Sequence, residues 1–153
     1  MGLDVRRRAT GIAALAAFLS LAVSFERGQP PAGAAGAKPT ALYTAAQASA
    51  GAKTYAASCA QCHGANLEGD AGPALAGPGW KTISSHTHIT VSELYDFIAQ
   101  QMPLNAPASL PKDKYLAIMA FILKSNGYPA GSSALSLASA HKSKMVVDSL
   151  KSH

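Results

Sequence analysis

The apolar residues of this chain fall into one N-terminal block, an alanine-rich helix and two stripes at helical spacing. Ala9 to Phe25 is an apolar stretch rich in Ala and Leu. Further on, Thr44-Ala45-Ala46-Gln47 has the form of a helix start. Thr44 is the expected N-cap, Gln47 reaches back as a capping box, and alanine favours helix to about Ser58. Val91, Leu94, Tyr95 and Ile98 recur at helical spacing behind a second capping box, Thr90-Val91-Ser92-Glu93. That helix should run to about Gln101 and stop at Met102-Pro103, because proline disfavours helix in the residue before it. Tyr115, Ile118, Met119 and Ile122 form a third helix, widened by Leu116, Phe121 and Leu123. Pro111 suits its first turn, and Asn126-Gly127, followed by Pro129, is its stop.

Between these elements, Gly64 to Lys81 is rich in Gly and Pro and reads as irregular loop, as does Leu104 to Leu110. Residues 130 to 153 are rich in Ser, Ala and Lys and lack Phe, Trp and Tyr. They read as a flexible tail, with at most a short helical turn around Val146-Val147. No strand alternation stands out, so the fold class expected is all-α.

The N-terminal block is not part of that fold. Arg6, Arg7 and Arg8 precede it, and Ala32 to Ala37 offers small-residue cleavage sites, the layout of a secretory signal peptide. Cleavage after Ala37 or Ala34 is expected. The block is short for a membrane span, which takes about 20 residues, so an uncleaved anchor is the lesser alternative, and contact with a membrane is expected only if the segment is retained. The organisation expected is 1–37 signal peptide, 38–128 one small domain and 129–153 tail. The formal charge of +5 shrinks on cleavage, because all four arginines lie before residue 38 and nine lysines then face six acidic residues. No basic patch for nucleic acid is present, and only modest electrostatic steering to a partner is expected.

Cys59-Ala60-Gln61-Cys62-His63 carries the chemistry. Two cysteines two residues apart and followed at once by histidine form the attachment site of a c-type haem. Each thiol adds to one vinyl group of the porphyrin, and His63 can supply the proximal iron ligand. A redox dithiol and half a zinc site are the other readings of the pattern. Cys59 and Cys62 are the only cysteines, so a four-cysteine zinc site is excluded. His86 and His88 are too close together for a zinc finger, which separates its histidines by about three to five residues. A thioredoxin-like dithiol usually sits in a βαβ context, and none flanks the segment. Export agrees with the haem, since an oxidising compartment would otherwise close two free thiols.

The second axial position decides what such a haem does. Candidates are Met102, Met119, Met145, His86, His88, His141 and His153. Met102 lies between two helices, before a proline, far enough along the chain to wrap over the opposite face. Met119 falls on the apolar stripe and reads as core. Met145 and His141 lie in the expected tail, and His86 and His88 in a polar loop. Met102 is the ligand expected, with a histidine or an open site as alternatives.

Over roughly Gln47 to Gly127 the chain resembles the class I cytochromes c. Gly51 and Tyr55 stand eight and four residues before the first cysteine, and Ile118 and Phe121 stand three apart on the last helix, as in that family. The resemblance implies a small cytochrome c fold in which N- and C-terminal helices cross around one covalently bound haem, with Gly51 allowing the backbones to approach. Gly72-Pro73-Ala74-Leu75-Ala76-Gly77 resembles a family segment. It implies that the Pro73 carbonyl takes a hydrogen bond from His63 and that Leu75 packs on the haem. Met102-Pro103 matches the family's ligand methionine. Trp80 is implied as a donor to a haem propionate, the plainer reading being a core or rim aromatic bonded elsewhere.

The closest likeness is to small bacterial members that serve periplasmic dehydrogenases, on the pattern Glu93 to Pro103. The expectation is therefore a periplasmic carrier of single electrons, not itself an enzyme, that works between a dehydrogenase and a terminal oxidase or other cytochrome of the respiratory chain. It can equally be the cytochrome subunit of an oxidoreductase complex. A five-coordinate haem acting as a peroxidase or gas sensor is the alternative, and a haem-free dithiol oxidoreductase is a third.

Overall fold

The computed structural model describes residues 40–150. The expected signal peptide, residues 1–37, and the candidate ligand His153 lie outside the described residues. Six helices follow in order: α1 Ala45–Ser58, α2 Ala60–His63, α3 Gly77–Thr87, α4 Val91–Gln101, α5 Lys112–Ser125 and α6 Leu137–Lys142. The described residues contain no strand, only one isolated antiparallel bridge between Thr90 and Val146. The fold is all-α.

Local chemistry explains the ends of most helices. Thr44 Oγ1 accepts the Gln47 N–H at 3.2 Å and starts α1. The return half of that expected capping box is absent, because the Gln47 carboxamide is used elsewhere. Its Nε2 donates to the Leu135 carbonyl at 2.8 Å, and its Oε1 accepts the Leu135 N–H at 2.7 Å. A carboxamide matches both groups of one peptide unit, and that peptide unit lies 88 residues away, beyond any local rule. At α4 the capping box is complete: Glu93 N–H donates to Thr90 Oγ1 at 3.3 Å, and Thr90 N–H donates to Glu93 Oε2 at 2.8 Å. These bonds hold the Glu93 carboxyl below the usual carboxylate range.

α3 corrects the loop expected over Gly64 to Lys81. The helix begins at Gly77 with Pro78 in its first turn, where proline's missing N–H costs nothing. Trp80 and Ser84, one turn apart, form its buried face. α4 buries the four residues its periodicity selects, Val91, Leu94, Tyr95 and Ile98. α5 follows Pro111 as N-cap and ends before Gly127, whose φ of 91° is the left-handed conformation that glycine takes without strain.

α1 and α5 cross at the centre of the fold. A Cβ at Gly51 would overlap the Ala117 carbonyl, so only glycine lets the two backbones come this close. Beside the crossing, the Tyr55 and Phe121 rings pack with centroids 5.3 Å apart at 54°. Ile118, Met119, Ile122 and Leu123 of α5 are buried behind them.

The expected flexible tail is also corrected as far as residue 150. Leu135, Ala140 and Val147 are buried, and α6 lies against α4. Tyr128 Oη donates to the Val146 carbonyl at 2.7 Å and accepts the Asp148 N–H at 2.9 Å. Val91 N–H donates to the Met145 carbonyl, and Val147 N–H to the Ile89 carbonyl, each at 2.9 Å. The segment is a strap laid across α1, α3 and α4. Its few apolar residues are enough because each enters a site that the helices have already formed.

Candidate functional site

The two cysteines sit on a single turn. Cys59 closes α1, donating its N–H to the Tyr55 carbonyl at 2.8 Å. Its own carbonyl accepts the N–H groups of Cys62 and His63 at 3.1 and 3.0 Å. Residues three apart on such a turn share a face, so the Cys-x-x-Cys spacing brings both sulfurs to one side. Cys59 is half-buried and Cys62 exposed. Burial, with Cys62 adding to it, pushes the Cys59 thiol up to about 11. A dithiol oxidoreductase needs the opposite shift, because the thiolate is its nucleophile.

His63 is buried, and its Nδ1 donates to the Pro73 carbonyl at 2.7 Å. The carbonyl can only accept, so the contact places the ring proton on Nδ1 and leaves Nε2 as the nitrogen with a free lone pair. The loop that carries Pro73 is tied down on both sides. Gly72 N–H donates to the Cys62 carbonyl at 2.7 Å, and Gly69 N–H to the His63 carbonyl at 2.8 Å. A Cβ at Gly72 would stand 2.9 Å from His63 Cε1, so the loop backbone lies directly on the imidazole. Beyond Pro73, the Leu75 and Ala76 N–H groups both donate to the Leu67 carbonyl, at 2.8 and 3.1 Å. Leu67 takes a φ of 63°, an uncommon left-handed conformation for such a residue. Leu75 is partly buried against the core.

The remaining candidates lie on other elements. Met102 is the C-cap of α4 and is partly buried against the core. Its carbonyl accepts from Tyr115 Oη at 2.7 Å, and that phenol oxygen in turn accepts the Leu110 N–H at 3.2 Å. One phenol thus pins both ends of the loop that leaves Met102. Met119 is wholly buried in the core, and Met145 lies partly buried on the strap. His86 and His88 are exposed, and His86 Nδ1 hydrogen-bonds the Thr82 carbonyl at 2.8 Å. His141 Nε2 meets Asp96 Oδ1 at 2.9 Å.

Trp80 corrects the role implied for it. The side chain is buried and its indole N–H donates to the Val147 carbonyl at 2.9 Å. The donor is therefore used in holding the strap, and Trp80 is the core aromatic of the plainer reading. Asn126, which the sequence marks only as a helix stop, is missing from the expected site. It is wholly buried, and its Nδ2 donates to the Leu75 carbonyl at 2.8 Å. No local signal reveals that contact, because its partner lies 51 residues away.

The donor set fits haem c. Cys59 and Cys62 share a turn, with Cys62 open to solvent. Beside them stands an imidazole whose orientation is fixed through Nδ1, which leaves Nε2 for iron.

Residues 46–122 match the family model for cytochrome c oxidase, cbb3-type, subunit III. A search of curated proteins finds no match. Among solved structures the chain is similar to a chain of the sulfane dehydrogenase SoxCD from Paracoccus pantotrophus, at 33% identity and a TM-score of 0.42. That likeness covers 52% of this chain and 43% of the other, so this chain spans less than half of its length. With half of its length matched by the family model and helices in place of any described strand, the chain belongs to the cbb3-type subunit III family and is a class I c-type cytochrome.

Proposed function

We propose that the protein carries single electrons on one haem c, bound covalently through Cys59 and Cys62, with His63 and Met102 as its axial ligands. The observation that carries this reading is the 2.7 Å hydrogen bond from His63 Nδ1 to the Pro73 carbonyl, which fixes the imidazole orientation and leaves Nε2 to serve as an iron ligand. When bound, the haem supplies an iron that alternates between the ferrous and ferric states. The chain's residues do the rest. Pro73 holds the His63 tautomer and makes the ring a better electron donor. Leu75, partly buried next to the same loop, offers an apolar surface that keeps water from the site. The Met102 thioether is a soft and weak donor that favours the ferrous state and raises the reduction potential. With His63 and Met102 both holding the iron, no position would be left for a substrate, which would make the protein a carrier and not a peroxidase or gas sensor. The arrangement of Glu93 to Pro103 supports a place beside a periplasmic dehydrogenase. The onward acceptor is a terminal oxidase or another cytochrome of the respiratory chain.

The test is spectroscopic. The exported protein should be red and keep its haem through acid–acetone extraction. The ferric form should show the weak near-infrared-edge band of iron–methionine ligation, and Met102→Ala should abolish it and lower the potential. An unchanged band in that variant removes Met102 from the iron. Rapid carbon monoxide binding by the reduced wild type would favour the five-coordinate alternative.

A further inference from the structure

We propose that Asn126 is a positioning residue for the His63 ligand, acting through the Leu75 carbonyl, an inference that rests on the haem reading above. Asn126 is wholly buried at the end of α5. Its Nδ2 donates to the Leu75 carbonyl at 2.8 Å and to the Ile122 carbonyl at 3.1 Å. Both partners can only accept, so the carboxamide has one workable orientation. Its backbone carbonyl accepts the Leu150 N–H at 2.8 Å, which ties the same residue to the strap. Asn126 therefore joins three segments: the last turn of α5, the 72–76 loop and the end of the strap.

The loop explains why this reaches His63. Pro73 has no N–H and a fixed φ, so the position of its carbonyl depends on what holds the residues on either side. On one side Gly72 N–H is bonded to the Cys62 carbonyl at 2.7 Å. On the other, Leu75 is held twice, by its N–H on Leu67 and by its carbonyl on Asn126. Without Asn126 the Leu75 carbonyl loses its side-chain partner and the loop is anchored from one side more firmly than from the other. The His63–Pro73 bond then opens more often.

Asn126 is also a costly choice for packing alone. Its Oδ1 has no hydrogen-bond partner among the described residues, and a buried unpaired acceptor is unfavourable. Leucine is of similar volume and would fill the site without that acceptor. It would lack only the two donated hydrogen bonds.

The experiment measures solvent exchange of the His63 Nδ1 proton by NMR in the reduced, haem-loaded protein. Wild type is compared with N126L and with L135A, which loosens the strap at the buried Leu135 side chain and not at Asn126. Conditions are chosen so that both variants have lost equal global stability. N126L is expected to speed exchange about tenfold or more over L135A, the factor set by loss of one ordinary hydrogen bond. If N126L does not accumulate as folded protein, N126S, too short to reach the Leu75 carbonyl, takes its place in the same comparison. Exchange in N126L within about twofold of L135A overturns the proposal and reduces Asn126 to a structural residue. A wild type without covalent haem overturns the haem reading, and the proposal with it. Flat exchange in a haem-loaded protein overturns the Asn126 role alone.

Discussion

The indole N–H of Trp80 and the carbonyl of Val147 are joined at 2.9 Å across 67 residues of chain. The bond links α3 to a strap that the sequence marks as a loose tail. Trp80→Phe keeps most of the ring volume and leaves the buried Val147 carbonyl unpaired. A loss of about 1–3 kcal/mol in urea denaturation is expected, with the pH dependence of the reduction potential unchanged. Unaltered stability together with an altered pH dependence of the potential would return the indole to a haem propionate.

The strap's burial makes a second claim. Leu135 is buried, and its backbone holds the Gln47 carboxamide from both sides. Leu135→Ala should cost about 2–5 kcal/mol, the range for a buried leucine. For a domain of this size each kcal/mol lowers the melting temperature by about 4–8 °C. Calorimetry of the haem-loaded protein checks it. A change below about 0.5 kcal/mol, the level of ordinary surface substitutions, would mean that the strap is not packed in solution.

The α1–α5 crossing is more sensitive. Any side chain at Gly51 meets the Ala117 carbonyl, which is backbone and cannot swing aside. Gly51→Ala is ordinarily mild or favourable in a helix. Here it forces the helices apart, and a loss of at least about 3 kcal/mol is expected, at the upper end of overpacking. Equilibrium denaturation with guanidinium measures it, and a stabilised variant would refute the close approach.

Glu93 ties stability to pH. The N–H and hydroxyl of Thr90 donate to its carboxylate and hold its pKa below the ordinary value. A carboxyl whose folded pKa lies below its unfolded one stabilises the fold above the unfolded value. That contribution is lost as pH falls through the folded value. In Glu93→Gln the contribution of charge is gone at every pH. The stability gap between wild type and Glu93→Gln should therefore be widest near neutrality and close in strong acid, read from denaturation midpoints across that range. A gap that stays constant with pH would show that the carboxylate is not the cause.

The features legible in the sequence are those whose causes are local. The Thr90–Glu93 capping box is complete within four residues, and the buried face of α4 follows from its own periodicity. α3 escaped because Gly77 and Pro78 weigh as helix breakers in any composition count, although both are tolerated at a helix start. Half of the Gln47 capping box failed for the converse reason, a distant peptide competing for the same side chain.

By itself the sequence determined the chemistry that a single turn can hold, the two cysteines and histidine of residues 59–63, together with three helices, while the role of Gly51 came only from the family resemblance. The turn and the helices depend on spacings of three or four residues, which the backbone converts directly into shared faces. Only the tertiary structure decided that residues 129–150 form a strap, that Trp80 serves it, and that Asn126 reaches the loop beside His63. The Trp80–Val147 and Asn126–Leu75 bonds join residues 67 and 51 positions apart. A sparse set of small apolar residues becomes buried only when the surface that receives it has been assembled elsewhere in the chain.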